Sequence, residues 1–249
     1  MSQACAIPYP SPVATLAGVY DTSCLDFLQQ MSLFAGIDEN QLWEIAGDMV
    51  ERRFRRGRII FHEGDRGQTL YFIRSGVVRI FVNGLNGSET TLLLCSRPGD
   101  IFGELAAVDG RPRSATAIAF SPTVLYSLHG QDLYKHMRTC PQLAVNFVNE
   151  LSLRVRYNTE QVNGLASQGI SNRLARGLTE LAQAHGRRES EGVRIDLPLT
   201  QCDLASLIST TRESINKWLG EFQRQGWVRV QYKQITILDA QALQALAQS

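Results

Sequence analysis

Gly103, Glu104 and Leu105 are followed, beyond a loop marked by Gly110 and Pro112, by Arg113, Ser114 and Ala115. A guanidinium is permanently charged and offers a planar fork that matches a phosphate. A carboxylate such as Glu104 accepts paired hydroxyl hydrogens, and glycine at 103 lets backbone approach a ligand closely. Together with the Pro98-Gly99-Asp100 turn, these groups of residues 97–119 make one small anion site. A small molecule carrying both a ribose and a phosphate needs this set.

A second group lies near the carboxyl end. Ile215, Trp218, Leu219 and Phe222 form one stripe of a helix, which leaves Arg212, Glu213, Asn216 and Lys217 on the opposite face. Arginine to guanine and glutamate to the cytosine amino group are pairings the DNA major groove offers. Thr200 with Asp203 three residues later resembles a capping box that opens a preceding helix. Ser209 to Thr211 make the turn, Thr210 or Thr211 caps the second helix, and Gly226 ends it. Residues 227–230 and 235–238 form a hairpin wing around Lys233. The candidate DNA-binding residues are therefore Thr200, Thr211, Arg212, Glu213, Asn216, Lys217 and Lys233.

Other chemistries find little support. His62, His129, His136 and His185 are spread over unrelated elements, so no nucleophile, base and orienting group assemble into an enzyme site. The five cysteines, Cys5, Cys24, Cys95, Cys140 and Cys202, are odd in number and lack metal-ligand spacing. They read as reduced thiols, with Cys95 and Cys202 as buried small hydrophobes, and no metal or iron-sulfur site is expected. His62 is a weak candidate for a haem ligand. The net charge of +1 creates no strong global field, so a nucleic-acid surface has to be a local patch. No apolar run reaches membrane-spanning length, and no Lys or Arg precedes Arg52 as a secretory leader requires. A cytoplasmic protein without membrane partners is expected.

The elements that position these groups follow from periodicity. Residues 1–23, with Pro8, Pro10 and Pro12, read as a flexible amino-terminal arm. Apolar residues recur at helical spacing over 24–50, with Asp38 as an N-cap. Over 52–128 the period falls to two, with short strands at 58–61, 70–74, 77–82, 90–95, 115–119 and 123–128. Glycine and asparagine turns, such as Asn86-Gly87, punctuate them, and the spacing predicts a small barrel or jelly roll over 24–138. The run Arg52, Arg53, Arg55, Arg56 and Arg58 tempts a nucleic-acid reading, but beside an alternating strand it reads as a solvated strand face. Cys140-Pro141 starts a long helix, assigned to 139–167. On it Ala144, Val148, Leu151, Val155, Asn158, Val162 and Leu165 keep a strict heptad spacing, which predicts a parallel two-chain seam and a symmetric homodimer. Gly169 interrupts the seam as a hinge. A helix over 171–185, a charged loop over 187–192 and a strand over 193–197 then lead into the carboxyl-terminal domain, assigned to 168–249.

The motif F-G-E-L-x-x-x-x-x-x-P-R-S-A-T at 102–116 resembles the phosphate-binding cassette of cyclic-nucleotide-binding domains. The order F-H-E-G-D-x-G-x-x-L-Y-F-I-x-S-G-x-V-R-I at 61–80 is similar to the same family, independently of the cassette. The carboxyl-terminal half resembles the winged helix-turn-helix of the cyclic-AMP receptor protein family, whose R-E-x-x-x-R reading motif stands here as R-E-S-I-N-K at 212–217. The resemblance spans about residues 25–240. It implies an α+β chain: a cyclic-nucleotide-binding β-roll, a long dimerisation helix and a winged helix-turn-helix. The ligand residues it implies are Gly103, Glu104, Leu105, Arg113 and Ser114, with Arg154 near the phosphate and Asn158 and Thr159 against the purine. Asn158 has a second reading, since a single seam asparagine fixes coiled-coil register. The implied function is a bacterial transcription regulator with no cofactor, binding a near-palindromic operator and RNA polymerase, with cyclic AMP as allosteric effector and cyclic GMP as the nearest alternative. Lysine at 217 in place of arginine leaves open which base is read there. A third reading, a nucleotide-sensing module acting on a protein partner, is opposed by the carboxyl-terminal helix pattern.

Overall fold

The computed structural model describes residues 22–84 and 87–248. Cys5, Asn86 and nearly all of the amino-terminal arm lie outside the described residues. The described chain opens with α1 (Thr22–Gln29), a single 3-10 turn (Ser32–Phe34) and α2 (Glu39–Asp48). Asp38 begins α2 as expected, its Oδ1 accepting from the amides of Asn40 at 3.0 Å and Gln41 at 3.2 Å. These are two of the amide groups that a helix start leaves without internal partners.

Among the described residues, the strands that follow are β1 (Val50–Phe54), β2 (Ile59–Phe61), β3 (Thr69–Ser75), β4 (Val78–Asn83), β5 (Glu89–Cys95), β6 (Ile101–Phe102), β7 (Thr116–Ala119) and β8 (Thr123–His129). They form two four-stranded sheets in the orders β1-β8-β3-β6 and β2-β7-β4-β5. All these pairings are antiparallel. Ile73, Val78, Cys95, Phe102, Ala117 and Leu125, drawn from both sheets, close the roll with one buried cluster. The two-residue strand β6 is too short to show a period, and the helix α3 (Glu104–Asp109) after it has too few turns; neither is expected from the sequence.

α4 (Gly130–Thr139), also not foreseen, leads to α5 (Pro141–Ser167), the 27-residue helix with proline at its first position. At 1.5 Å per residue α5 runs for about 40 Å. Its first turns bury Leu143 and Phe147 against the α1 and α2 core. Asn146 ties it there, donating from Nδ2 to the carbonyls of Leu33 and Ala35, both at 2.9 Å.

The last part comprises α6 (Ile170–His185), β9 (Gly186–Glu189), β10 (Gly192–Ile195), α7 (Gln201–Leu207), α8 (Arg212–Arg224), β11 (Val228–Gln231), β12 (Gln234–Ile237) and α9 (Ala240–Gln248). Its antiparallel sheet has the order β11-β12-β10-β9. In the stretch expected as a charged loop at 187–192, residues 187–189 belong to strand β9 and Gly192 begins β10. All four residues of β9 are exposed, so no alternation marks it. Arg194 holds Glu189 at 2.7 Å and Arg187 holds Asp196 at 2.7 Å along its edge. Cys202 corrects a second expectation: it is exposed, because α7 turns Leu204 and Ala205 inward and leaves position 202 outside. Cys95 is buried as expected, and burial pushes its thiol pKa far up.

The two halves of the chain touch. Val77 and Phe120 of the roll belong to the same buried cluster as Leu178, Leu204 and Ile208 of the carboxyl-terminal part, with Leu94 packed on it. Thr91 Oγ1 lies 2.7 Å from Ser206 Oγ on α7. Arg79 reaches the same hydroxyl at 3.4 Å while pairing with Glu89 at 2.6 Å.

Candidate functional site

Arg113 enters the roll from the end of the α3 loop. It is 5 % exposed and lies with its guanidinium carbon 4.2 Å from the Phe61 ring centroid. Nη1 donates to the Gly103 carbonyl at 2.7 Å and Nη2 to the Thr69 carbonyl at 2.8 Å. Two glycines make room for it. A Cβ on Gly103 would stand 2.7 Å from Nη1, and one on Gly67 2.8 Å from Nη2. Gly103 also has a φ of +74°, which side-chain-bearing residues rarely adopt. Backbone bonds close the cradle: the Arg113 amide donates to the Asp65 carbonyl at 2.9 Å and the Gly64 amide to the Arg113 carbonyl at 2.8 Å.

The electrostatics follow from that burial. Desolvation lowers the Arg113 pKa, and Tyr71, Glu104 and Asp65 oppose the shift. An arginine stays charged through such a change, so the roll holds a positive charge next to the buried Glu104. Nε of Arg113 is buried without a hydrogen-bond partner in the structure. Such an orphan donor costs about 1–3 kcal/mol. Nε–H and the free Nη hydrogens form the kind of fork that takes two phosphate oxygens.

The structure brings Gly103, Glu104 and Arg113 together and leaves the Leu105 and Ser114 side chains exposed beside them. Arg154 of α5 reaches this region, donating from Nη2 to the Ile101 carbonyl at 2.8 Å. Asn158 and Thr159 are exposed one turn on, with Thr159 Oγ1 donating to the Val155 carbonyl at 2.9 Å. On the seam, Val148, Val155 and Val162 are each 60–64 % exposed and Leu165 46 %. Asn158 is exposed among them, whereas Ala144 and Leu151 are half-buried. Phe61, Tyr71 and Gly67, which the sequence places in the family-like 61–80 motif without a site role, are part of the site.

In the carboxyl-terminal part Ile215, Leu219 and Phe222 are buried, while Arg212, Glu213, Asn216 and Lys217 are all exposed on α8. Thr211 caps α8, its hydroxyl accepting from the Ser214 amide at 3.2 Å. Hydrogen bonds from its own backbone amide and from Thr211 hold the Glu213 carboxyl below its ordinary pKa, so it is an anionic acceptor at neutral pH. Thr200 and Asp203 form the expected reciprocal capping box on α7. Gln201, not foreseen, donates from Nε2 to Asn216 Oδ1 at 3.1 Å, which joins the start of α7 to the exposed face of α8. Lys233 is exposed in the turn between β11 and β12.

Two family models match this chain: the cyclic nucleotide-binding domain over residues 51–140 and the Crp-like helix-turn-helix domain over 172–246. The cyclic AMP receptor protein of Thermus thermophilus is 32% identical over 86% of this chain and 96% of its own length. The chain belongs to the cyclic-AMP receptor protein family of transcription regulators. A CRP-like cAMP-activated global transcriptional regulator of Mycobacterium tuberculosis is 29% identical over 88% of this chain and 97% of its own length. The solved structure of a CRP/FNR-family transcriptional regulator from Thermus thermophilus superposes with a TM-score of 0.70 at 30% identity, over 80% of this chain and 99% of that one. Within the cyclic-AMP receptor protein family the Arg113 cradle belongs to the nucleotide-binding domain, and α7, α8 and the β11–β12 wing are the DNA-binding module. The relatives are regulators of transcription rather than enzymes. Among the described residues, no helix is long and apolar enough to cross a membrane.

Proposed function

We propose that this chain acts as a cytoplasmic homodimer whose DNA affinity is set by a cyclic purine nucleotide, cyclic AMP, bound at Arg113. The observation that carries this reading is the buried Arg113 guanidinium with its unpartnered Nε beside Gly103 and Glu104. The phosphate takes the arginine fork, and Glu104 accepts from the ribose hydroxyl. Asn158 and Thr159, near the seam, meet the purine. The names of the Thermus and Mycobacterium relatives support cyclic AMP as the effector.

Dimerisation rests on the exposed Val148, Val155 and Val162 line, which repeats every seven residues and suits a parallel partner helix. Two copies of α8 then read a near-palindrome with half-sites about one helical turn apart, through Arg212, Glu213, Asn216 and Lys217. Lys233 of the wing and the helix starts at Thr200 and Thr211 contact phosphates, and RNA polymerase is the further partner. Nucleotide acts by shifting the population of domain arrangements around the Gly169 junction, where α6 starts without a side-chain cap. The roll and the reading domain are linked at Thr91, Ser206 and Arg79, which gives the shift a physical route.

Calorimetric titration of the purified protein with cyclic AMP and cyclic GMP tests the reading. Tighter binding of cyclic AMP, at one site per chain, is the expected result. Preference for cyclic GMP changes the effector, and heat from neither removes the nucleotide reading altogether.

A further inference from the structure

Among the described residues, the non-glycine positions with positive φ are Ser209 at +50° and Tyr232 at +57°. Both stand in the carboxyl-terminal part, Ser209 in the turn between α7 and α8 and Tyr232 in the two-residue turn between β11 and β12. Hairpin turns of that length favour glycine, asparagine or aspartate where φ is positive, and a bulky residue there is strained. Strained backbone gathers at functional sites. Here the strain displays an aromatic ring, since the Tyr232 side chain is fully exposed.

The ring is not carried on a loose tip. Val228, Ile235 and Ile237 of the hairpin are buried in one cluster with Ile215, Leu219 and Phe222 of α8. The Trp227 amide donates to the Phe222 carbonyl at 2.9 Å, and the Leu238 amide to the Trp227 carbonyl at 2.8 Å. The wing therefore keeps a fixed place beside the reading helix. Each of its strands has four residues, which span about 13 Å at about 3.3 Å per residue. A hairpin of that length with a tyrosine at its end suits the step of about 17 Å, half a helical turn, from a major groove to the minor groove beside it. The tip, Gln231-Tyr232-Lys233-Gln234, is exposed throughout and holds no acid.

We propose that Tyr232 enters the minor groove flanking each half-site and selects A·T pairs there. The proposal rests on the DNA-binding reading and adds a second zone of base selection to the one on α8. In the minor groove an A·T pair shows only acceptors, adenine N3 and thymine O2, while a G·C pair adds the guanine 2-amino group. The phenol O–H of Tyr232 donates to those acceptors, and the side-chain amides of Gln231 and Gln234 supply further donors beside it. The guanine amino group, itself a donor, projects from the groove floor against both the ring and its hydroxyl. A protein partner is a poorer match. Aromatic anchors of protein interfaces sit amid packed apolar surface, whereas the chain neighbours of Tyr232 are two glutamines and a lysine.

The test uses the full chain with saturating cyclic AMP, as wild type and as Tyr232→Gly, a change that suits the backbone of the turn. Duplexes that the wild type enriches from a random library are remade with the flanks beyond each half-site as A·T, as G·C or as inosine·C pairs, the last lacking the 2-amino group. The wild type is expected to bind the G·C flank about fivefold less tightly than the A·T flank, and the inosine flank to restore binding. Tyr232→Gly melts no lower than the wild type, keeps the base preferences within the half-sites and binds the three flanks alike. Equal wild-type binding to all three flanks overturns the proposal and leaves Tyr232 to a protein partner. A G·C penalty that inosine does not relieve, or that Tyr232→Gly retains, overturns it too. A variant that melts lower gives the ring a structural role and has the same effect. Failure of the wild type to enrich any duplex removes the DNA-binding reading itself, a result distinct from loss of the flank dependence alone.

Discussion

Arg113 is clamped by two backbone carbonyls and two glycines, and its orphan Nε donor is what a phosphate would satisfy. Arg113→Leu removes charge-assisted bonds worth about 1.5–3 kcal/mol, so nucleotide affinity is expected to fall about tenfold or more by calorimetry. It also strips the Gly103 and Thr69 carbonyls of this donor, and the melting temperature drops with it. Unchanged affinity would remove the cassette from the site. At the other end of the chain, Glu213 is exposed, anionic and free of any structural burden beyond its own helix start. Glu213→Ala is therefore expected to leave nucleotide binding intact and to relax base preference at one position per half-site by about 1–3 kcal/mol. Competition among operator variants reads this directly; a uniform loss on every sequence contradicts a base-reading role. Both residues are legible from sequence because part of each site is close in the chain, Gly103 and Glu104 before Arg113, and Thr211 and Arg212 before Glu213. Gly67, Phe61 and Gln201 are not, since each joins its site across a loop or from another element.

At the scale of elements, α5 keeps an apolar line in solvent that no described part of its own chain covers. Val155→Lys puts a charge into the centre of that line, and the expected outcome is a monomer by light scattering; a persistent dimer places the interface elsewhere. The docking of β5 on α7 has its own consequence. Ser206→Ala deletes the hydroxyl shared by Thr91 and Arg79, at a cost of about 1 kcal/mol. The ratio of DNA affinities with and without nucleotide is then expected to shift about fivefold. An unchanged ratio means that both arrangements keep this contact. Most elements with full turns or clear alternation, such as α2, α5, α8, β3 and β4, are visible in the sequence, although the ten-residue α4 is not. Those lacking either are not: β6 has two residues, β9 has no buried face, and α3 has six residues.

For the whole molecule, two sequence motifs announce two modules, and the fold adds how they meet. Thr91 and Ser206 lie 115 positions apart, so nothing local in either stretch records their 2.7 Å contact. The arginine run is visible as charge but not as position, because only the fold brings Arg56 to Pro198. Reciprocity constrains such a molecule: whatever factor nucleotide adds to DNA affinity, operator DNA adds to nucleotide affinity.

In the proposed homodimer the bare valines of α5 also make stability a matter of mass action. The single chain leaves Val148, Val155 and Val162 more than half exposed, and in the proposed dimer these side chains leave water only when a second chain arrives. Folding and association are then linked, so the thermal midpoint is expected to rise as the protein is concentrated. A midpoint that stays constant over a hundredfold dilution would mean that the helix holds its shape alone and gains nothing from a partner.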